Sequence, residues 1–144
     1  MYAFKNENVM GNSIGTVSNL QLKMISNDYI LLNEKEIFEF IKDKEGFIDL
    51  INESLKLFKR YFPNAKYYLA LEEDYESSDL DLIIAYIVNK DASFEENCCL
   101  DSILLKDFVK LHDNFPQAWL KYNYIVEEDD EYYELWRKGM IDNY

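Results

Sequence analysis

Glycine, proline, arginine, histidine and cysteine are all scarce in this chain of 144 residues. Its four glycines stand at 11, 15, 46 and 139, so none lies between Gly46 and Gly139. That excludes a glycine-rich phosphate loop from the middle of the chain, because only glycine lets the backbone approach a phosphate closely. The stretch "GNSIG" (11–15) lacks the lysine and the strand-to-helix setting of a P-loop. The one histidine, His112, stands beside Asp113 at the expected end of a helix, where a capping or surface role suits it. No His or Cys spacing makes a zinc site, and no cofactor is implied. The two cysteines, Cys98 and Cys99, are neighbours, which is poor geometry for an unstrained disulfide. They read as buried, small apolar residues of a protein kept in a reducing compartment, the cytoplasm. No run approaches the roughly 18 apolar residues that span a bilayer. The N-terminus shows no basic region followed by an apolar one, so no signal peptide is expected.

What is abundant is apolar bulk and negative charge. Hydrophobic residues make up 49% and aromatic residues 16%, enough to bury a core, and the length suits one domain spanning 1–144. Residues 1–19 mix Gly, Asn and Ser with scattered apolar residues and read as a partly ordered N-terminal segment. Fifteen basic against 28 acidic residues leave a net charge of −13, which repels nucleic-acid phosphates and anionic lipid alike. Direct nucleic-acid binding and membrane-surface binding are therefore not expected.

Along the chain, "LQLKMIS" (20–26) and "YILL" (29–32) alternate like two short strands turned at Asn27-Asp28. Asn33 and Glu36 have the spacing of a capping box. They open a helical pattern with Ile37, Ile41, Ile48, Ile51, Leu55, Phe58 and Phe62 on one stripe, broken near 43–46 and stopped by Pro63. The period then changes to two. Residues 66–73 and 80–89 read as a hairpin, the second strand apolar on both faces and hence central. Ser93 and Glu96 form a second capping-box pattern, starting a helix over 93–112 with Phe94, Cys98, Leu104, Phe108 and Leu111, and a possible break at Asp101-Ser102. Residues 118–127 alternate again, with Leu120, Tyr122, Tyr124 and Val126 toward the core and Lys121 and Asn123 on a wetter face. Acids at 127–131, bases at 137–138 and Gly139 suit a last helix docking through Trp136. The fold class is α+β: a small, mostly antiparallel sheet packed by two or three helices, in the order helix, strand, strand, helix, strand, helix.

One stretch comes near a chemical motif. In "EEDYESSDLDLII" (72–84), Asp79 and Asp81 would point to the same side if 79–81 were extended, a geometry that can chelate a divalent cation. Following a helix, "FPNA" and a strand, "SDLDLII" resembles the aspartate-bearing strand of minimal, polymerase-beta-like nucleotidyltransferases, over about 48–88. That resemblance implies a divergent metal-dependent transferase with Asp79 and Asp81 as metal ligands and Glu127 as the third carboxylate. The family's Gly-Ser pair is missing: "YYLALEED" occupies its place, which removes the triphosphate cradle. Over about 48–128, "YFPNAKYYLALEEDYES", "LDLIIAYIV" and "IVEE" also resemble small, uncharacterised prokaryotic proteins built as helix, hairpin, helix, strand. This second resemblance implies a fold and no activity.

The most distinctive surface feature is acidity joined to aromatic residues near the C-terminus. Tyr132, Tyr133 and Trp136 beside Glu128, Asp129 and Asp130 suit an anchor for a basic protein partner, since Tyr and Trp dominate interface hot spots and opposite charge steers association. The expectation is a non-catalytic, protein-binding regulator or neutraliser of the antitoxin or immunity type. Alternatives are the transferase and a DNA-mimic inhibitor of a nucleic-acid enzyme. A strand with one wetter face also suits a homodimer.

Overall fold

The computed structural model describes residues 19–141; the expectations for 1–18 lie outside them. The elements are α1 (Asn19–Ile25), β1 (Ile30–Leu31), α2 (Glu34–Ile41), α3 (Phe47–Tyr61), β2 (Lys66–Glu72), β3 (Leu82–Val88), α4 (Phe94–Phe108), α5 (Pro116–Trp119), β4 (Tyr122–Glu127) and α6 (Glu131–Arg137). Turns of 3₁₀ helix at Ser78–Leu80 and Val109–Asp113 precede β3 and follow α4. The four strands among these residues form one sheet in sequential order, β1 to β4, so the fold is α+β as expected.

The sheet is mixed rather than mostly antiparallel. β2 and β3 pair antiparallel across the acidic loop, whereas β1 with β2 and β3 with β4 pair parallel. The reason lies in the connections: a short loop reverses the chain, but a helical crossover returns the next strand in the same direction. Helices α2 and α3 link β1 to β2, and α4 with α5 links β3 to β4.

Strand alternation builds two apolar layers. Tyr67, Leu69, Leu71, Ile83, Ala85, Ile87, Tyr122 and Tyr124 pack with Ile37, Ile41, Leu50, Ile51, Phe58 and Phe108 of the helices in the main core. Tyr68, Ala70, Tyr86 and Val88 point the other way and meet Tyr133 of α6. β3 is thus central and lined on both sides, as its doubly apolar pattern requires. The predicted break near 43–46 is real: Gly46, with φ of 79°, joins α2 to α3.

Five local expectations are overturned. Where a strand was expected over 20–26, residues 19–25 form helix α1, because burying Leu22 and Ile25 against the main core follows a helical spacing that the strand-like alternation conceals. Asn33 does not cap α2. Its side chain instead clamps the β2 backbone, Nδ2 donating to the Leu71 carbonyl and Oδ1 accepting from the Leu71 N–H, both at 2.9 Å. α4 runs unbroken through Asp101 and Ser102, started by a complete Ser93–Glu96 capping box. Phe94, Cys98 and Cys99 are exposed, since α4 buries Asn97, Leu104 and Phe108 instead. Finally, Pro116 opens the short α5, so the last strand begins only at Tyr122 and Leu120 is exposed.

Candidate partner-binding surface

Helix α6 is positioned by its own ends. At its C-terminus Gly139, φ 74°, closes a Schellman motif: its N–H donates to the Trp136 carbonyl and that of Met140 to Leu135, both at 2.9 Å. At its N-terminus the Asp130 residue is only 5% exposed. Its carboxylate accepts from Lys90 at 2.7 Å and from Lys66 and the Tyr68 hydroxyl at 3.1 Å each. Burial pushes this carboxyl up, but the bonds from Lys90, Lys66 and Tyr68 outweigh it and bring it down to about 2. One turn on, Glu134 takes the Arg137 guanidinium at 2.6 Å and the Tyr68 hydroxyl at 2.5 Å, and these bonds likewise lower it to about 2. Two lysines, Lys66 and Lys90, and one phenol thus tie α6 to the sheet, while Arg137 pairs with Glu134 within the helix itself.

Between these ends, Tyr133 lies on the rings of Tyr86, 4.5 Å between centroids, and Tyr68, 5.4 Å. Tyr132 packs edge-on to Tyr133 and Trp136. The Tyr86 hydroxyl donates to Glu72, and burial followed by this bond raises its pKa. The second sheet face is covered unequally as a result. A seven-residue helix spans roughly 10 Å, and its ring contacts on the sheet fall on Tyr68 of β2 and Tyr86 of β3. Beyond it on β4, Ile125 remains 39% exposed and Asn123 is exposed, while Ile84 of β3 is only partly buried.

Of the residues singled out in sequence, Tyr132 is 45% exposed, Glu128 and Asp129 are exposed and Trp136 is partly buried. Tyr133 and Asp130 are turned into the fold, where they hold α6 in place and present nothing to a partner. Anchoring falls to Tyr133 more than to Trp136. Ile125 shares this face, since it alternates with Lys121 and Asn123 along the strand, but an isolated isoleucine there carries no sequence mark of exposure. The roles of Lys66, Lys90 and Tyr68 have no local sequence signal, because their partners are distant in the chain.

Asp79 and Asp81 lie at the opposite end of the sheet. Residues 78–80 form a 3₁₀ turn with Ser77 as its cap, so 79–81 is not the extended run on which a shared chelating side depended. Asp81 Oδ1 accepts from the Asp74 N–H at 2.8 Å, and Asp74 Oδ1 accepts from Glu76 and Ser77. Lys121 donates its ammonium to the Asp79 carbonyl. These carboxylates shape the loop. Among the described residues no group of three His, Cys, Asp or Glu is placed to hold a metal ion. Glu127, at the far end of β4, is not brought to this loop and instead bonds with Tyr133.

A cleft of about 870 Å³ opens between the α2–α3 turn and α5, lined by Lys44, Gly46, Asp49, Phe115, Gln117 and Lys121 among others. Its two lysines are engaged: Lys44 donates to the Phe40 carbonyl at 2.5 Å and Lys121 to Asp79. Among the described residues no helix is long and apolar enough to cross a membrane. No protein-family model, no curated protein and no solved structure matches this chain.

Proposed function

We propose that this protein is a non-catalytic cytoplasmic regulator or neutraliser, of the antitoxin or immunity type, that binds a basic protein partner over the part of its sheet that α6 leaves open. The observation that carries this reading is the unequal cover of the second sheet face. Ile125, Ile84, Tyr132 and Trp136 keep apolar surface accessible there, and Glu128 and Asp129 stand exposed where β4 leads into α6. A rigid aromatic and aliphatic patch with acidic residues beside it fits the anatomy of a binding site, with anchors to desolvate and charge to steer. The net charge of −13 favours a basic partner, and two exposed free cysteines fit a reducing compartment.

The test is to immobilise the wild type, Ile125→Asp and Tyr132→Ala, and to challenge each with lysate of the source organism. The reading expects a basic protein retained by the wild type, released by salt, and retained at least about tenfold less by both variants. Equal retention by all three would refute it.

A further inference from the structure

We infer that α4 is a self-association surface, and that a second copy of this chain packs across it antiparallel. This goes beyond the partner site, which lies on the other face of the sheet. Phe94, Leu105 and Val109, 63%, 49% and 47% exposed, recur with exposed Cys98 at the spacing that 3.6 residues per turn places on one side of a helix. Contacts on α4 fix which side that is. Asp107 accepts from Tyr61 of α3, whereas Asp101 accepts from the Tyr124 hydroxyl of β4, the edge strand, at 2.6 Å. The stripe follows Asp101 round the helix, away from α3, and so faces outward beside β4, the edge strand among the described residues.

The stripe reads the same from either end. The step from Phe94 to Cys98 equals that from Leu105 to Val109, so a two-fold axis near Ser102 sets Phe94 against the second copy's Val109 and Cys98 against its Leu105. Such self-complementarity is what an isologous interface requires. Charge points to the same arrangement. Asp91, Glu95 and the capping Glu96 stand at or just before the start of α4, and both lysines, Lys106 and Lys110, at or just past its end, Lys110 also reaching Asp107 of its own chain at 3.5 Å. Antiparallel packing brings the acidic end to the end that holds both lysines, whereas parallel packing would set acidic end against acidic end.

The strand beside the stripe is not the contact. The Tyr124 N–H of β4 is taken by Asn123 Oδ1 at 2.8 Å, which blunts the edge against strand addition. The helix face therefore carries the association.

Sedimentation velocity from about 1 to about 200 µM at moderate salt should show a monomer–dimer equilibrium that Leu105→Glu weakens at least about tenfold while the circular-dichroism melt is retained. Lys110→Glu should weaken it too, and Glu95→Lys added to Lys110→Glu should restore it. Should Leu105→Glu fail to fold, cross-linking decides. Ser102→Cys, with Cys98 and Cys99 replaced by alanine, should oxidise to a covalent dimer well ahead of Ile103→Cys in the same background. A chain that stays monomeric throughout, a dimer indifferent to these changes, or equal cross-linking at 102 and 103 would overturn the inference.

Discussion

Replacing Asp130 by asparagine keeps the shape of the side chain and removes its charge, so it isolates what the buried carboxylate does for α6. The pKa of about 2 lies below the ordinary value of 3.8. At about 1.4 kcal/mol per unit, and discounted because both lysines are half-exposed, this is worth about 2 kcal/mol. Charge-assisted hydrogen bonds to Lys90 and Lys66, at 2.7 and 3.1 Å, lead to a similar figure by a separate route. With a urea slope of about 1–3 kcal/mol per M, the unfolding midpoint of Asp130→Asn should fall by about 1 M at neutral pH. The sign of the pH dependence follows from the direction of the shift. A depressed carboxyl stabilises the fold above its unfolded value near 3.8 and loses that stabilisation as the pH falls through about 2. The gap between wild type and variant should therefore close between about pH 4 and pH 2. Glu134 titrates in the same range in both proteins and, because it shares the Tyr68 hydroxyl with Asp130, cancels only in part. Urea titrations across this range test both claims. A gap below about 0.5 kcal/mol at neutral pH, or one unchanged at pH 2, would refute the clamp.

Three further outcomes are expected. Ser54 is fully buried and shares a 2.5 Å hydrogen bond with the Tyr122 hydroxyl; Ser54→Ala should cost about 1–2 kcal/mol, and with Tyr122→Phe less than the sum of the two, additivity in denaturant unfolding counting against the bond. Gly46→Ala should lower stability by about 1–2 kcal/mol through its left-handed backbone, since an added Cβ would meet Phe115 only at an ordinary 3.6 Å; a melting temperature unchanged by this substitution would dismiss the strain. Burial raises Tyr68, Tyr86, Tyr124 and Tyr133 above the usual 10.0, so phenolate absorbance should show a class of tyrosines that ionises late, with stability falling as the pH rises past about 10; uniform titration with no loss of stability would contradict their burial.

Much of the fold was legible because its cues are local. The Ser93–Glu96 capping box, the break at Gly46, the turn past α6 at Gly139 and the two apolar faces of β3 all depend on neighbours a few residues apart, and the structure contains each. The errors share a cause as well. Asn33 has the spacing of a cap but finds a stronger use across the sheet at Leu71. α1 alternates like a strand, and only packing against the main core makes a helix of it. Phe94 and Cys98 match a core stripe in sequence, but the side of α4 that meets the sheet is set by Leu104 and Phe108.

Taken alone, the sequence determined the composition-level properties: an acidic chain with enough apolar and aromatic mass for a core, α+β periodicity and no glycine to cradle a phosphate near Asp79. These depend on residue type and short-range spacing, which need no partner elsewhere in the chain. Only the tertiary structure decided which carboxylates are enclosed and which lie at the surface. Asp130 is enclosed by Lys66, Lys90 and Tyr68, and Asp81 is taken up by the backbone of its own loop, whereas Glu128 and Asp129 stay at the surface. A carboxylate's role depends on the donors and solvent around it, and for Asp130 those are set by contacts between residues far apart in sequence.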